Sequence, residues 1–358
     1  MADIVQSTRD YEVWLRRQLG RSLVAGDLSE KHDKMCESPF TFLRATYWRW
    51  AEVVGDVCAD AMDAPQVLSV GDIHLENFGT WRDAEGRLVW GVNDFDETAE
   101  MPYPLDLVRL ATSALVAGRQ AASAGEICGA LLRGYRSGLA SPRPLVLDRD
   151  CAWLRELVLV SEKKRAKFWK KIESSKWVKA PPAYRAALAA AMPAPRLGIK
   201  TARRTAGTGS LGRPRWIGVA DWNGAPVVRE AKAVVVSAWL REHGGRKTRI
   251  SCEEIANGRY RAVDPWHRFA KSTVVRRLSP NNRKIEVDDD PAALLSAQML
   301  EVMGFDLAGV HLGIVNRSAA IKRDMARRKG GWLEDSATRM AAAVEADFAG
   351  WKSAHGAR

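Results

Sequence analysis

The chain has 358 residues, of which 55 are basic and 43 acidic, giving a formal charge of +12. With 46% hydrophobic and 27% charged residues it has the composition of a globular protein, which excludes a fibrous or intrinsically disordered chain. The length predicts two domains or lobes with a core that needs no disulfide or metal, and no apolar run reaches the ~18 residues of a membrane span.

The cysteines, Cys36, Cys58, Cys128, Cys151 and Cys252, are odd in number and far apart. They predict reduced, buried thiols rather than a disulfide framework or a thiolate zinc site. The opening Met-Ala-Asp-Ile-Val-Gln-Ser lacks the basic-then-apolar pattern of a signal peptide, so a cytoplasmic address is expected. The positive charge implies attraction for polyanions such as nucleotide phosphates or nucleic acid.

In chain order, Phe40, Leu43, Tyr47, Trp50, Val54, Val57 and Ala61 step by three and four and predict one amphipathic helix. Ser38-Pro39 supplies its cap and first turn. Val67 to Val70 reads as a short buried strand, leading into Gly71-Asp72-Ile73-His74-Leu75-Glu76-Asn77. Phe78 to Trp81 and Arg87 to Val92 form a predicted hairpin that ends in Asn93-Asp94-Phe95-Asp96-Glu97. A buried helix is expected from Leu105 to Ala117, and mostly helix from there to about Ala191. Within it, residues 162–179 carry eight lysines and arginines interleaved with Phe168, Trp169 and Trp177. This is either a stacking-plus-phosphate surface or a solvated helix with its aromatics turned inward.

Pro181-Pro182 and the Pro193/Pro195 region are the candidate linkers, and the composition then becomes β-rich. Gly207-Thr208-Gly209-Ser210-Leu211-Gly212 precedes an apolar run, and Asn223-Gly224 is a hairpin signal before a strand that contains Arg229 and Lys232. Val274 to Leu278 is a further strand. From Pro291 the chain returns to helix, ending in one with Met340, Val344, Phe348 and Trp351 on one face.

The chemistry lies in these loops. Asp72-x-x-x-x-Asn77 followed by Asp94-Phe95-Asp96 offers a base and hard oxygen ligands, the requirement of Mg²⁺-dependent phosphoryl transfer. Asp72 would accept the proton of the attacking hydroxyl, and Asn77, Asp94 and Asp96 would hold Mg²⁺. Gly207, Gly209, Ser210 and Gly212 would let backbone N–H groups approach the phosphates of ATP, and Arg229 or Lys232 would pair them. Asp106 reads as a structural carboxylate that anchors the catalytic loop. Asp72-x-His74 imitates a metallophosphoesterase ligand pair, but the remaining histidines are scattered, so His74 is read as fixing the loop by hydrogen bonding.

Together, Gly71-Asp72-x-His74-x-x-Asn77-Phe78-Gly79, Asn93-Asp94-Phe95-Asp96-Glu97, the glycine segment and Arg229-Glu230-Ala231 resemble the bacterial domain of unknown function 2252 family. That family is similar to the protein-kinase-like and aminoglycoside-phosphotransferase superfamily. The resemblance implies an α+β, two-lobed, protein-kinase-like fold. The glycine segment follows the Asp72 loop by more than a hundred residues, the reverse of the kinase order, so the fold is expected to be circularly permuted. Residues 1–195 and 291–358 would form the helical lobe, with 196–290 as the small β-rich lobe between them.

The expected function is an ATP- and Mg²⁺-dependent phosphotransferase with an unidentified small-molecule or protein acceptor. An arginine at 229, where the family usually has lysine, keeps a nucleotide-binding regulator with little turnover as an alternative. AMP transfer by the same ligands is another. Polyanion binding through residues 163–179 is a third reading, with nucleic acid a less favoured partner.

Overall fold

The amphipathic run at 40–61 forms two helices rather than one. The computed structural model describes residues 2–117, 122–244 and 249–356; residues 245–248 of the β-rich segment lie outside them. Helices α1 (Ile4–Leu19) and α2 (Ala25–Met35) precede α3 (Pro39–Ala45), which is capped by the Ser38 hydroxyl and has proline in its first turn. Helix α4 (Tyr47–Val57) follows after a break at Thr46, whose backbone leaves the helical region (φ −123°, ψ 43°). The Thr46 hydroxyl donates to the Phe42 carbonyl at 2.7 Å, a local bond that competes with continuation of the helix. The apolar stripe survives the break, and Phe40, Leu43, Tyr47, Trp50 and Val54 are all buried.

Strand β1 (Gln66–Ser69) pairs antiparallel with β4 (Ala99–Pro102), and β2 (Phe78–Arg82) with β3 (Leu88–Val92) forms the expected hairpin between them. Helix α5 (Pro104–Ala117) is buried from Pro104 through Ala114, the polar Asp106, Arg109, Thr112 and Ser113 included. Helix α6 (Ala124–Ala140) follows with a capping box of Ser123 and Glu126. Strand β5 (Leu145–Val146) extends the hairpin to three strands. Three helices follow: α7 (Ala152–Leu157), α8 (Glu162–Glu173) and α9 (Pro182–Ala190).

The β-rich segment is a five-stranded antiparallel sheet in the order β6-β7-β8-β10-β9. Its strands are β6 (Lys200–Arg203), β7 (Arg215–Trp222), β8 (Ala225–Ala233), β9 (Arg268–Ala270) and β10 (Thr273–Leu278). Helices α10 (Ala238–His243) and α11 (Cys252–Ala256) lie between β8 and β9 in sequence. Asn223 and Gly224 both have positive φ (53° and 79°), the turn that Asn-Gly predicts. Strand β6 escaped the sequence reading, and it makes the glycine segment the connection of a β6–β7 hairpin.

Strand register decides what each face of this sheet does. Arg215, Glu230, Lys232 and Arg276 share one face, since Arg215 pairs with Lys232 and Arg276 with Glu230. The same face carries Ile217 and Val228 under Ile172, Phe168 and Trp169 of α8. The aromatics of the basic helix therefore turn inward, while Trp177 beyond it stays exposed. The opposite face, with Trp216, Ala231 and Val275, is covered by Leu188 and Tyr184 of α9. Helices α8 and α9, which a division at residue 195 groups with the helical part, pack on the sheet.

Helices α12 (Pro291–Leu294), α13 (Ala297–Leu312), α14 (Ser318–Arg327) and α15 (Trp332–His355) complete the chain. The most extensive helix pairing is α6 with α13. A Cβ on Gly134 would stand 1.8 Å from the Glu301 carbonyl, and one on Gly304 2.2 Å from that of Leu131, so only glycine permits this approach. Helices from both ends of the sequence share the main core with β1 and β3, and Val234, Val235, Trp239 and Ile255 from the middle join it. Among the described residues no helix is long and apolar enough to cross a membrane.

Candidate functional site

A cavity of about 500 Å³ opens between the five-stranded sheet and the loops that follow β1 and β3. Its wall includes Asp72, Asn77, Asp94 and Asp96 together with Gly207, Gly209 and Ser210, so segments more than a hundred residues apart meet at one site.

The Asp72 loop is held from beneath. Asp106, at the start of α5, accepts the backbone N–H groups of Val70 (2.8 Å) and Gly71 (3.0 Å), and His311 of α13 approaches the same carboxylate at 3.0 Å. This is the anchoring role that the sequence predicts for Asp106. The loop closes through His74, whose Nδ1 accepts the Glu76 N–H at 3.2 Å. Burial, reinforced by Arg44 and Lys284, holds the His74 pKa well below its ordinary value, so the ring is neutral.

Asn77 fastens the two acidic loops together. Its amide nitrogen donates to the carbonyls of Asp72 (3.1 Å) and Asp94 (3.2 Å), and its amide oxygen accepts the Asp94 N–H at 3.0 Å. The side chain proposed from sequence as a metal ligand is thus engaged in positioning both aspartates.

Asp72 itself is bonded through Oδ1 to Arg109 of α5, a residue the sequence gave no reason to single out. Arg109 is fully buried, lies over the rings of Tyr47 and Trp50, and also donates to the Leu43 carbonyl at 2.9 Å. Burial raises the Asp72 pKa to about 6 against the opposing pull of Arg109. Its second oxygen, Oδ2, faces the glycine segment: a Cβ on Gly209 would stand 3.2 Å from it and 2.9 Å from the Arg44 carbonyl. Glycine is required at 209 by that approach.

The glycine segment is tied down at Gly209 and Ser210. Lys31 of α2, buried over the rings of Trp48 and Tyr11, donates to the Gly209 carbonyl at 2.9 Å. Burial pushes the Lys31 pKa down to about 7. The Ser210 hydroxyl accepts from Arg215 at 2.6 Å. Gly212 does not line the cavity; it packs on α2 with φ 92°, where a Cβ would meet the Leu28 side chain at 2.7 Å. Its assignment to phosphate is corrected to a packing role.

Lys232 lies 3.1 Å from Asp94 and 2.6 Å from Asp96. Its ammonium and the neighbouring Arg276 and Arg215 hold the Asp94 pKa well below the usual carboxylate range. Asp96 moves the other way, raised by burial and then by the charge of Asp94. Arg229 is not brought to the cavity. It sits three positions from Lys232, an odd interval that turns it to the opposite face of β8, where it donates to the Ala191 carbonyl at 2.7 Å and lies over Trp266.

A cationic cluster completes this side. Glu230, fully buried, receives Arg204, Arg215 and Arg276, and all three arginines line the cavity. They draw the Glu230 pKa far below that of an ordinary carboxylate, although burial alone would raise it. Three guanidinium groups on one carboxylate leave two positive charges in excess, the condition for holding phosphate oxygens.

Residues 23–167 match the model of the family described as "Uncharacterized protein conserved in bacteria", domain of unknown function 2252. The matched stretch contains the Asp72 loop, Asn77, Arg109 and the Asp94–Asp96 segment, and it ends before the glycine segment and the arginine cluster. No curated protein and no solved structure matches the chain.

Among the described residues no three His, Cys, Asp or Glu side chains converge as a metal cluster. Asp94 and Asp96 do approach one point, now occupied by the Lys232 ammonium. Mg²⁺ is commonly held by one or two carboxylates plus substrate phosphates, and this pair fits that pattern.

Proposed function

We propose that the cavity binds ATP with Mg²⁺ and transfers its terminal phosphoryl group to an acceptor hydroxyl, within a protein-kinase-like architecture whose chain order is circularly permuted. The observation that carries this reading is the placement of Gly209 against Asp72 Oδ2 in a cavity that Asp94 and Asp96 also line.

In this reading the backbone of Gly207 to Ser210 and the guanidinium groups of Arg204, Arg215 and Arg276 receive the phosphates. Asp94, with Asp96 beside it, would hold Mg²⁺, which would supply positive charge to offset that of the phosphates. The cation that faces these carboxylates is Lys232, so Arg229 plays no part. Arg109 fixes one oxygen of Asp72 and leaves the other toward the glycine segment. The acceptor oxygen bonds to the terminal phosphorus, the bond to the bridging oxygen breaks with ADP as leaving group, and the acceptor proton passes to Asp72. A carboxylate with a pKa near 6 is ionised at neutral pH yet basic enough to share that proton.

The test is incubation with Mg²⁺ and ATP labelled at the γ or the α position. Transfer of the γ label to protein, water or an added hydroxyl acceptor supports the proposal. Transfer of the α label makes the chain an AMP transferase. Nucleotide binding without turnover of either label makes it a nucleotide-binding regulator.

A further inference from the structure

The cavity contains a second cationic cluster, organised on Glu76 as the first is on Glu230. Glu76 follows Asp72 by four residues on the same loop, and its side chain is almost completely buried. One oxygen, Oε2, is shared by Arg44 (2.8 Å) and Lys284 (3.3 Å), while Oε1 accepts the Val287 N–H at 2.9 Å. Two cations therefore share one carboxylate. The adjacent His74 is neutral and adds no charge. Glu286 borders the same wall but is exposed and forms no ion pair with Lys284 among the described residues. Arg283, which also lines the cavity, has its Nε buried without a hydrogen-bond partner.

Asp72 is paired with Arg109 and Glu97 with Arg213, while Asp94 and Asp96 share Lys232 and are the pair assigned to the metal. Apart from that metal pair, a cationic acceptor finds no unmatched carboxylate at these positions, whereas an anionic one finds Arg44 and Lys284. The cluster lines the same cavity as Asp72, and its carboxylate belongs to the loop that carries Asp72.

We infer that the acceptor carries an oxyanion, a phosphate or a carboxylate, bound by Arg44 and Lys284 on the Asp72 side of the cavity. The inference rests on the phosphotransfer reading, because it assigns the second cluster to the acceptor and the first to the nucleotide. The planar fork of Arg44 suits two oxygens of one group, and Lys284 adds a point charge. Burial and the nearby Arg44 lower the Lys284 pKa, and a bound anion would relieve that repulsion.

The test uses inorganic phosphate and acetate as separate probes, titrated calorimetrically into the full chain in the presence of saturating ADP. One of the two should bind, and which one does identifies the group. Lys284→Gln, at a partly exposed position where the fold is expected to persist, should weaken that binding at least tenfold, and Arg44→Gln should do the same. Absence of binding by either anion, or binding unchanged in both variants, overturns the inference. If the chain takes no ADP, the phosphotransfer reading fails, while the titrations still report on the Arg44–Lys284 site.

Discussion

Asp72 is pulled two ways, by a buried arginine that favours its charge and by a burial that opposes it, and burial prevails. Under the proposed mechanism the base must be ionised to act. Transfer of the γ label should therefore rise with pH through about 6 and level off above it. Asp72→Asn should keep nucleotide affinity but lose ~10²–10⁴-fold in rate, the usual contribution of a general base. A rate within threefold of the unaltered chain removes Asp72 from the chemistry. Lys31 gives a prediction of stability instead. Its folded pKa, about 7, lies below the ordinary 10.5, so between these values the unfolded chain holds the extra proton. Stability should therefore rise with pH across that window, and the penalty is full below pH 7. Lys31→Met should lack this increment, so the stability difference between the two chains, read from urea unfolding at pH 6 and pH 9, should change in that direction. A difference that does not vary with pH contradicts the buried-lysine assignment.

These two residues also show where the sequence stops being legible. Asp72, Asn77 and Asp94 lie within 23 positions, and it is their spacing joined to the surrounding strand, hairpin and Asp-Phe-Asp pattern that suggests a base with metal ligands. Lys31 reaches Gly209 across 178 residues, and Arg109 reaches Asp72 across 37. Such pairs are created by the tertiary fold and leave no local pattern.

At the scale of the element, the sheet is the informative case. The alternation of β8 was available from its sequence: Arg229 and Lys232 are three apart and must face opposite ways once the strand is straight. What alternation does not reveal is which face meets the cavity, because that depends on α8 and α9 choosing their sides. Glu230 is the electrostatic centre of the sheet, a buried carboxylate with three arginines. Glu230→Gln should cost about 3 kcal/mol, the order expected when one partner of a buried charge cluster is removed, and should release Arg215 from its hold on Ser210. Chemical unfolding measures the cost, and a loss under about 1 kcal/mol contradicts the role given to the cluster. The break at Thr46 taught a related lesson, since periodicity locates a buried stripe but not an interruption made by one side-chain hydrogen bond.

At the scale of the molecule, the glycine segment and the two acidic loops share a cavity although the chain visits them in the reverse of the kinase order. Helices from both ends of the chain share one core, and the five-stranded sheet is inserted between them. This arrangement is the observation from which we propose a circular permutation, and it makes the chain order and the nucleotide site a single hypothesis. The sequence predicted the helical, β-rich, helical order because composition and turn residues change at its boundaries. It did not predict that α8 and α9 would pack on the sheet, since a helix with one apolar stripe is readable as such while its partner is not.

The central claim is that Asp94, Asp96 and the glycine segment together hold a metal–nucleotide complex. The direct measurement is a calorimetric titration of a non-hydrolysable ATP analogue, with and without Mg²⁺, into the unaltered chain and into Asp94→Ala. The Asp94 side chain is 41% exposed, and Lys232 keeps Asp96 as a partner at 2.6 Å, so the variant is expected to fold. The account predicts Mg²⁺-dependent binding to the unaltered chain and none detectable to the folded variant. Equal affinity in the two proteins, or no binding to either, contradicts it.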